Sequence, residues 1–395
     1  MESSVQSYLA NYGHAVDLPS NCNQDWHHVL IVPICGEVSE SLQQLTEAIK
    51  DQRYLIIACI NRPHNHPKSH QWRQANQGLI TEWCQQAQTV KPLTQGYFLS
   101  FAAYDVWLLN YNDQPFHHNQ GVGLARKIAA DSALKLIHSG VVKSPWIYST
   151  DADVKLPANY FSVTDNAANY VALSLPFQHI TDTTELKHLQ ALYDFKLAYY
   201  QQAMRYIGTV YDYVPLGSCL VIAAEAYAKV RGFPVRSGGE DFYLLNKLAK
   251  IGKIAQPKKP IIQIQARFSE RVPFGTGPGL LKIKESASPI HFYHPLIFVE
   301  IKTWYQQLCD FFKSQRIPDN QVINDFWDIE PLIEKTLKQT KTNDRWQQFV
   351  LEWFDAFRIL KTVHALEAEF PRLGLEELRE LAFFRAMTKG LLVPE

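Results

Sequence analysis

Two unbroken apolar runs stand near the start of the chain, His28–Cys35 (HVLIVPIC) and Tyr54–Ile60 (YLIIACI). Both are short, rich in β-branched residues and closed by turn formers, Gly36-Glu37 and Asn61-Arg62-Pro63. Apolar runs without alternation predict strands covered on both faces, the pattern of a parallel sheet. Between them, Ser39–Lys50 has helical spacing and opens on a capping serine. The same logic predicts strands at Trp146–Ser149 (WIYS), Tyr170–Leu175 (YVALSL), Ser218–Ala223 and Ile261–Gln265. Helices are predicted at His70–Gln86, Gly123–Ser139, Glu185–Tyr206, Ala226–Arg231 and Gly239–Ile251. Tyr97–Ala103 and Val106–Leu109 are apolar but suit helix and strand equally. Strand and helix alternate, which predicts an α/β fold with a mostly parallel sheet flanked by helices.

From about Pro295 the strand pattern fades. Leu296–Lys313, Ile329–Lys338, Arg345–Glu369 and Leu375–Met387 carry helical periodicity, punctuated by Pro318, Pro331 and Pro371. The expected division is a polar arm over 1–26, an α/β domain over 27–295 and a helical C-terminal region over 296–395.

Composition narrows the function classes. Lys+Arg and Asp+Glu both number 39, so the formal charge is zero and the basic surplus of a dedicated nucleic-acid binder is missing. The cysteines Cys22, Cys35, Cys59, Cys84, Cys219 and Cys309 are scattered without a CxxC, which argues against a disulfide scaffold or a structural zinc site. The first twenty residues lack the basic and apolar regions of a signal peptide, and no apolar run approaches the roughly 18 residues of a membrane span. The expectation is a cytoplasmic protein without a transmembrane segment.

Candidate chemistry begins at Ser149-Thr150-Asp151-Ala152-Asp153, where two carboxylates flank a small residue just after the strand WIYS. Ligands of open α/β sheets bind at the C-terminal ends of the strands. A hard divalent cation wants oxygen ligands and completes its shell with phosphates and water. Further on comes Gly232–Phe242 (GFPVRSGGEDF), whose Asp241 falls at a predicted helix start, where the dipole favours an ionised carboxylate. Such a group can act as a general base toward a hydroxyl. Gly121–Asp131 (GVGLARKIAAD) has two glycines before a basic pair but matches neither a Walker loop nor GxGxxG. It can set Arg126 or Lys127 near phosphate or ribose, or else carry a solvated basic pair. Arg267 and Arg271, in the glycine-containing loop QARFSERVPFGTG, can close on a diphosphate with their planar forks.

In their order along the chain, HVLIVPICGE, GVGLARKIAAD, WIYSTDADVKLP and RGFPVRSGGEDFYLLNKLAKIG resemble the inverting GT-A glycosyltransferases of family 2. The last block is also similar to the GGED motif of β-1,4-galactosyltransferases. The resemblance spans roughly residues 28–290 and implies a Rossmann-like GT-A domain. It implies a metal-dependent transfer of sugar from a nucleotide-diphosphate sugar to a hydroxyl acceptor, which is a saccharide, a lipid-linked or a small molecule. Residue by residue, it implies Asp241 as catalytic base, with Glu240 and Gly239 binding the acceptor. Pro33, Glu37, Asn61, Arg62, Arg126, Asp151, Arg267 and Arg271 would meet the nucleotide sugar. Asp153 and Asp151 would hold Mn or Mg, with His294 or its neighbour His291 as third ligand.

Two departures limit it. The second strand ends in CINRP, without the acidic residue that usually grips base or ribose. The QxxRW motif and membrane helices of processive synthases are missing, which favours a single transfer to a soluble or peripheral acceptor. Two other readings stay open. A sugar nucleotidyltransferase would need a basic, glycine-rich loop after the first strand, and PICGEVSES has no Arg or Lys. A non-catalytic GT-A-like carbohydrate-binding or assembly subunit would not hydrolyse donor in the presence of manganese.

Overall fold

The computed structural model describes residues 4–22, 24–37, 39–49, 53–181, 183–273, 275–285, 290–391 and 393–394. The chain divides into two compact units, residues 1–187 with 215–281, and residues 188–214 with 282–395. Each is considered by itself.

The first unit is built on β1 (His28–Ile34), β2 (Tyr54–Ile60), β3 (Thr89–Leu93), β4 (Gly96–Ser100), β5 (Tyr104–Asn110), β6 (Trp146–Ser149), β7 (Val154–Lys155), β8 (Ala172–Ser174), β9 (Phe177–Ile180), β10 (Leu220–Ala223), β11 (Ile254–Ala255) and β12 (Ile262–Gln265). Among the described residues nine of these form one sheet in the order β11-β8-β10-β6-β1-β2-β5-β4-β3. Its centre, β6-β1-β2-β5, is parallel, with Ile31 opposite both Ile57 and Ser149. Antiparallel β10 and the hairpin β3-β4 flank that centre. A smaller sheet of order β7-β12-β9 follows the end of β6.

Helices of this unit include α1 (Ser4–Tyr12), α2 (Ser39–Thr46), α3 (Ser69–Gln86) and α4 (Gly121–His138). Leu30, Val32 and Ile34 of β1 share a core cluster with Leu45 of α2 and Leu79, Ile80 and Trp83 of α3. α4 packs on β1 and β2, and its small residues Ala125, Ala129, Ala130 and Ala133 are fully buried. Both faces of the central strands are therefore covered, which is why they read as continuous apolar runs. The architecture is α/β, a sheet parallel through its centre and flanked by helices.

Two segments depart from the expectations. The arm is not merely polar: α1 buries Val5 and Tyr8, and Trp26 is buried with its Nε1 donating to Asp105 (2.8 Å). The ambiguous run near Tyr97 is the β4-β5 hairpin extended by β3, where Pro92 is accommodated because β3 lies at the sheet edge. Lys50, the expected end of the first helix, lies outside the described residues.

The second unit begins within α5 (Thr184–Ile207), and among the described residues its other named elements are helices. In α9 (Pro295–Ser314), Ile297, Ile301, Trp304, Leu308 and Phe311 are buried at three- and four-residue spacing. The aromatics of α5 are core there: Tyr199 donates its hydroxyl to the Tyr293 carbonyl (2.9 Å), and Phe195 meets Phe292 edge-on. The single helix expected over Arg345–Glu369 is two, α12 (Asn343–Trp353) and α13 (Ala356–Leu366). Asp355 makes the break by capping α13, accepting from Arg358 N at 3.1 Å. No helix among the described residues is long and apolar enough to cross a membrane.

Candidate active site

The C-terminal ends of β1, β2 and β6 open into a cleft of the first unit. Pro33, Glu37, Asn61, Arg126, Asp151, Asp153, Gly239, Glu240, Asp241, Arg267 and Arg271 all line it. Residues from six separate stretches of sequence thus meet in one place. Arg62 and His294 are not among the lining residues. Arg62 instead donates to the Asn112 carbonyl (2.8 Å) and Ser69 Oγ (2.6 Å), holding the turn after β2. His294 caps α9 in the second unit, its Nδ1 accepting from Leu296 N at 3.2 Å.

Arg126 organises one side of the cleft. α4 carries it into a position where its side chain is only 3% exposed. Its Nε donates to Glu240 Oε1 (2.7 Å), and Nη1 to Ser149 Oγ (2.8 Å) and the Gly217 carbonyl (3.1 Å). Nη2 pairs with Asp151 Oδ1. Burial pulls against the charged guanidinium, but Asp151, Glu240 and Asp241 together outweigh it and hold the group firmly protonated. Arg126, expected to meet the nucleotide, lines the cleft with its guanidinium bonded to these protein oxygens. The two glycines ahead of it serve packing: a Cβ on Gly123 would lie 2.6 Å from the backbone of Pro234 and Arg236. They bring α4 against the loop that leads into Glu240-Asp241.

Asp241 stands at the first turn of α7 (Glu240–Leu248). Its Oδ2 accepts from Gly217 N (2.8 Å) and its Oδ1 from Phe242 N (2.7 Å). These bonds and Arg126 favour the carboxylate, yet burial and neighbouring Glu240 win and push Asp241 up to about 7. The helix start does not keep it ionised outright, as the sequence suggested. Gly217 itself had no motif to reveal it. A side chain there would put Cβ 2.4 Å from Arg126 Nη2, so the β10 approach needs glycine.

The other side of the cleft is a cluster of four charges. Arg267 forks onto Glu37 (Nη1–Oε2 2.8 Å, Nη2–Oε1 2.6 Å) and reaches Asp153 Oδ2 (2.6 Å). Arg271 pairs with Glu37 and donates to the Cys35 carbonyl (2.9 Å). Burial raises the Glu37 carboxyl, and Arg267 opposes it. Asp153 is pushed up to about 7, burial and the nearby Glu37 and Asp151 outweighing Arg267. Asn61 locks β1 to β2 by donating Nδ2 to the Ile34 carbonyl (3.1 Å).

A divalent ion would find two hard oxygen ligands here, Asp151 and Asp153, in the cleft. That suits an ion bound through one or two carboxylates and completed by phosphates and water. It does not make a closed cage, since among the described residues no group of three His, Cys, Asp or Glu gathers to hold a metal.

No family model matches the chain, and no curated protein does. Among solved structures the chain is similar to the mannosyltransferase PcManGT from Pyrobaculum calidifontis, in complex with GDP-Man and Mn2+. The identity is 12%, the coverage 92% of each chain and the TM-score 0.36.

Proposed function

We propose that the chain is a GT-A-type glycosyltransferase that moves a sugar from a nucleotide-diphosphate sugar to a hydroxyl acceptor with inversion. The carrying observation is the convergence of Asp151, Asp153, Glu240, Asp241, Arg267 and Arg271 on one cleft at the ends of parallel strands. The catalytic part is assigned to the first unit, which carries the lining of the cleft within the expected 27–295 segment.

Asp241 is the base in this reading. A carboxylate near 7 suits that role, because it is available at neutral pH and basic enough to draw a hydroxyl proton in the transition state. Oδ1 and Oδ2 are both fixed by backbone N–H groups, so the acceptor oxygen meets an oriented carboxylate. That oxygen attacks the anomeric carbon from the face opposite the diphosphate, the C–O bond to the diphosphate breaks, and the proton passes to Asp241. Arg267 and Arg271 supply fixed positive charge to the departing diphosphate. When bound by Asp153 and Asp151, Mn or Mg would add charge neutralisation on the same leaving group. Glu240 and Gly239 border the acceptor, with Glu240 held by Arg126.

The test is thermal stability of the protein against a panel of nucleoside diphosphates, with and without manganese. A ligand that binds only the folded state raises the melting temperature by mass action. A rise with one diphosphate supports the donor assignment. No rise with any nucleotide overturns it and favours a non-catalytic subunit.

A further inference from the structure

We propose that Arg267 stands in for the divalent cation in the free protein, so that metal enters this site only together with a diphosphate. The inference rests on the transferase reading and adds an order of binding to it.

Both carboxylates that would take the metal are already ion-paired. Glu37 and Asp153 face Arg267 and Arg271, two negative groups against two positive ones. Asp151, the other carboxylate of the pair, is held by Arg126. A dication arriving alone would meet two guanidinium groups at Asp153, Arg267 at 2.6 Å and Arg271 at 4.0 Å. It would also have to displace a guanidinium 2.6 Å from the Asp153 oxygen it needs. Coulomb repulsion at such distances in a partly buried site is substantial.

A diphosphate offers Arg267 another partner. It brings negative charge and an oxygen array that a planar guanidinium binds as well as it binds a carboxylate. Arg267 can then turn from Asp153 to phosphate by giving up its Nη2 bonds while Nη1 stays on Glu37, which is only 6% exposed and also held by Arg271. Glu37 is thus a pivot, a positioning residue for both arginines. The segment that carries them allows the movement. It leaves β12 after Gln265, is pinned at its base by Ala266 N on the Ile180 carbonyl (2.8 Å), and has no helix or strand bonds through Arg271. The Arg267 side chain is 33% exposed, in contrast to Arg126 at 3%. Released from Arg267, Asp153 regains a free oxygen, and the phosphates complete the shell that two carboxylates leave open.

The experiment is manganese binding, followed by calorimetry and by the electron paramagnetic resonance of the free ion. The protein is used alone, with UDP and with GDP, as wild type, Arg267→Gln, Arg267→Lys and Asp153→Asn. Wild type is expected to bind manganese at least ~10-fold more weakly alone than with the diphosphate it accepts, within the usual range of coupling between sites. Arg267→Gln should bind manganese without nucleotide and lose most of that ratio. Arg267→Lys, which keeps the charge but not the fork, should fall between, and circular dichroism checks that each variant is folded. Asp153→Asn should abolish the uptake. Equal manganese affinity with and without diphosphate, or the same ratio in Arg267→Gln, overturns the proposal. Diphosphate binding without manganese uptake overturns it too but leaves the donor assignment standing. Failure to bind any nucleoside diphosphate overturns the transferase reading and this proposal with it.

Discussion

Two arginine clusters flank the same pair of aspartates, and they are built differently. Arg126 sits on a buried helix, and its Nε, Nη1 and Nη2 each hold an oxygen of the surrounding protein. Arg267 sits on an irregular segment, a third exposed, and among the described residues holds the cleft carboxylates Glu37 and Asp153. Both are charge-assisted pairs of similar length, so distance does not separate them. What separates them is how many elements each arginine ties together. Arg126 joins the ends of β6, the turn before β10 and the start of α7, so moving it means moving the sheet. Arg267 can exchange partners without disturbing any strand. A rigid cluster suits positioning, and a loose one suits a ligand that must come and go.

The largest expected effect is on turnover. Asp241→Asn should lower transfer by about 10²–10⁴-fold, the usual contribution of a general base, while nucleoside diphosphate still binds. A steady-state assay with calorimetry of the donor checks both halves, and near-normal turnover would remove Asp241 from its role.

Next comes the contrast between the two arginines. Arg126→Ala leaves Glu240 and Asp151 without their buried partner and should cost about 3–5 kcal/mol of stability. Arg267→Ala should cost at most about 2 kcal/mol, because Arg271 remains on Glu37. Urea unfolding of both variants tests this, and equal costs would dissolve the distinction. Gly217→Ala sharpens it, since the new Cβ would meet Arg126 and not Arg267. It should reduce turnover by up to roughly 100-fold through misplacement of Asp241, whose Oδ2 takes the Gly217 N–H. The diphosphate affinity should change much less.

The smallest effect is in stability against pH. Asp241 is pushed up to about 7 from 3.8, so between those values the folded chain binds more protons than the unfolded one. Its contribution to stability therefore falls as pH rises from about 4 to about 7 and is flat on either side. Melting curves should show wild type losing ground to Asp241→Asn across that window. The acid limb of kcat/KM should lie near 7 as well, because the base must be ionised to act. An acid limb near 4 would mean that the backbone bonds on Asp241 outweigh its burial.

Much of the frame was legible beforehand, and particular residues show why. His28–Ile34 and Tyr54–Ile60 are strands within a residue of their apolar runs, since a fully covered strand leaves no polar position to blur its ends. The hairpin at β3-β4-β5 was not legible: its runs are too short to separate period 2 from period 3.6, and Pro92 argues against a strand anywhere but an edge. In the cleft, the residue types around Asp151, Asp153 and Glu240-Asp241 pointed to one site. Their partners did not show. Arg126 and Lys127 read alike as a basic pair, yet Arg126 turns to the cleft while Lys127 turns to Asp131 (3.1 Å) beneath α1.

Local pattern alone determined strands β1, β2, β6, β8, β10 and β12 and the presence of paired carboxylates after β6 and at the start of α7, because these depend on periodicity and neighbouring residues. Tertiary structure decided everything that depends on distance between remote segments. It paired Arg126 with Glu240, 114 positions away, and Arg267 with Glu37, 230 positions away. It also decided that Asp241, placed by sequence at a helix start that favours charge, is instead lifted to about 7. Burial is set by the whole fold, and in a desolvated cleft it outweighs the one turn of helix that sequence can see.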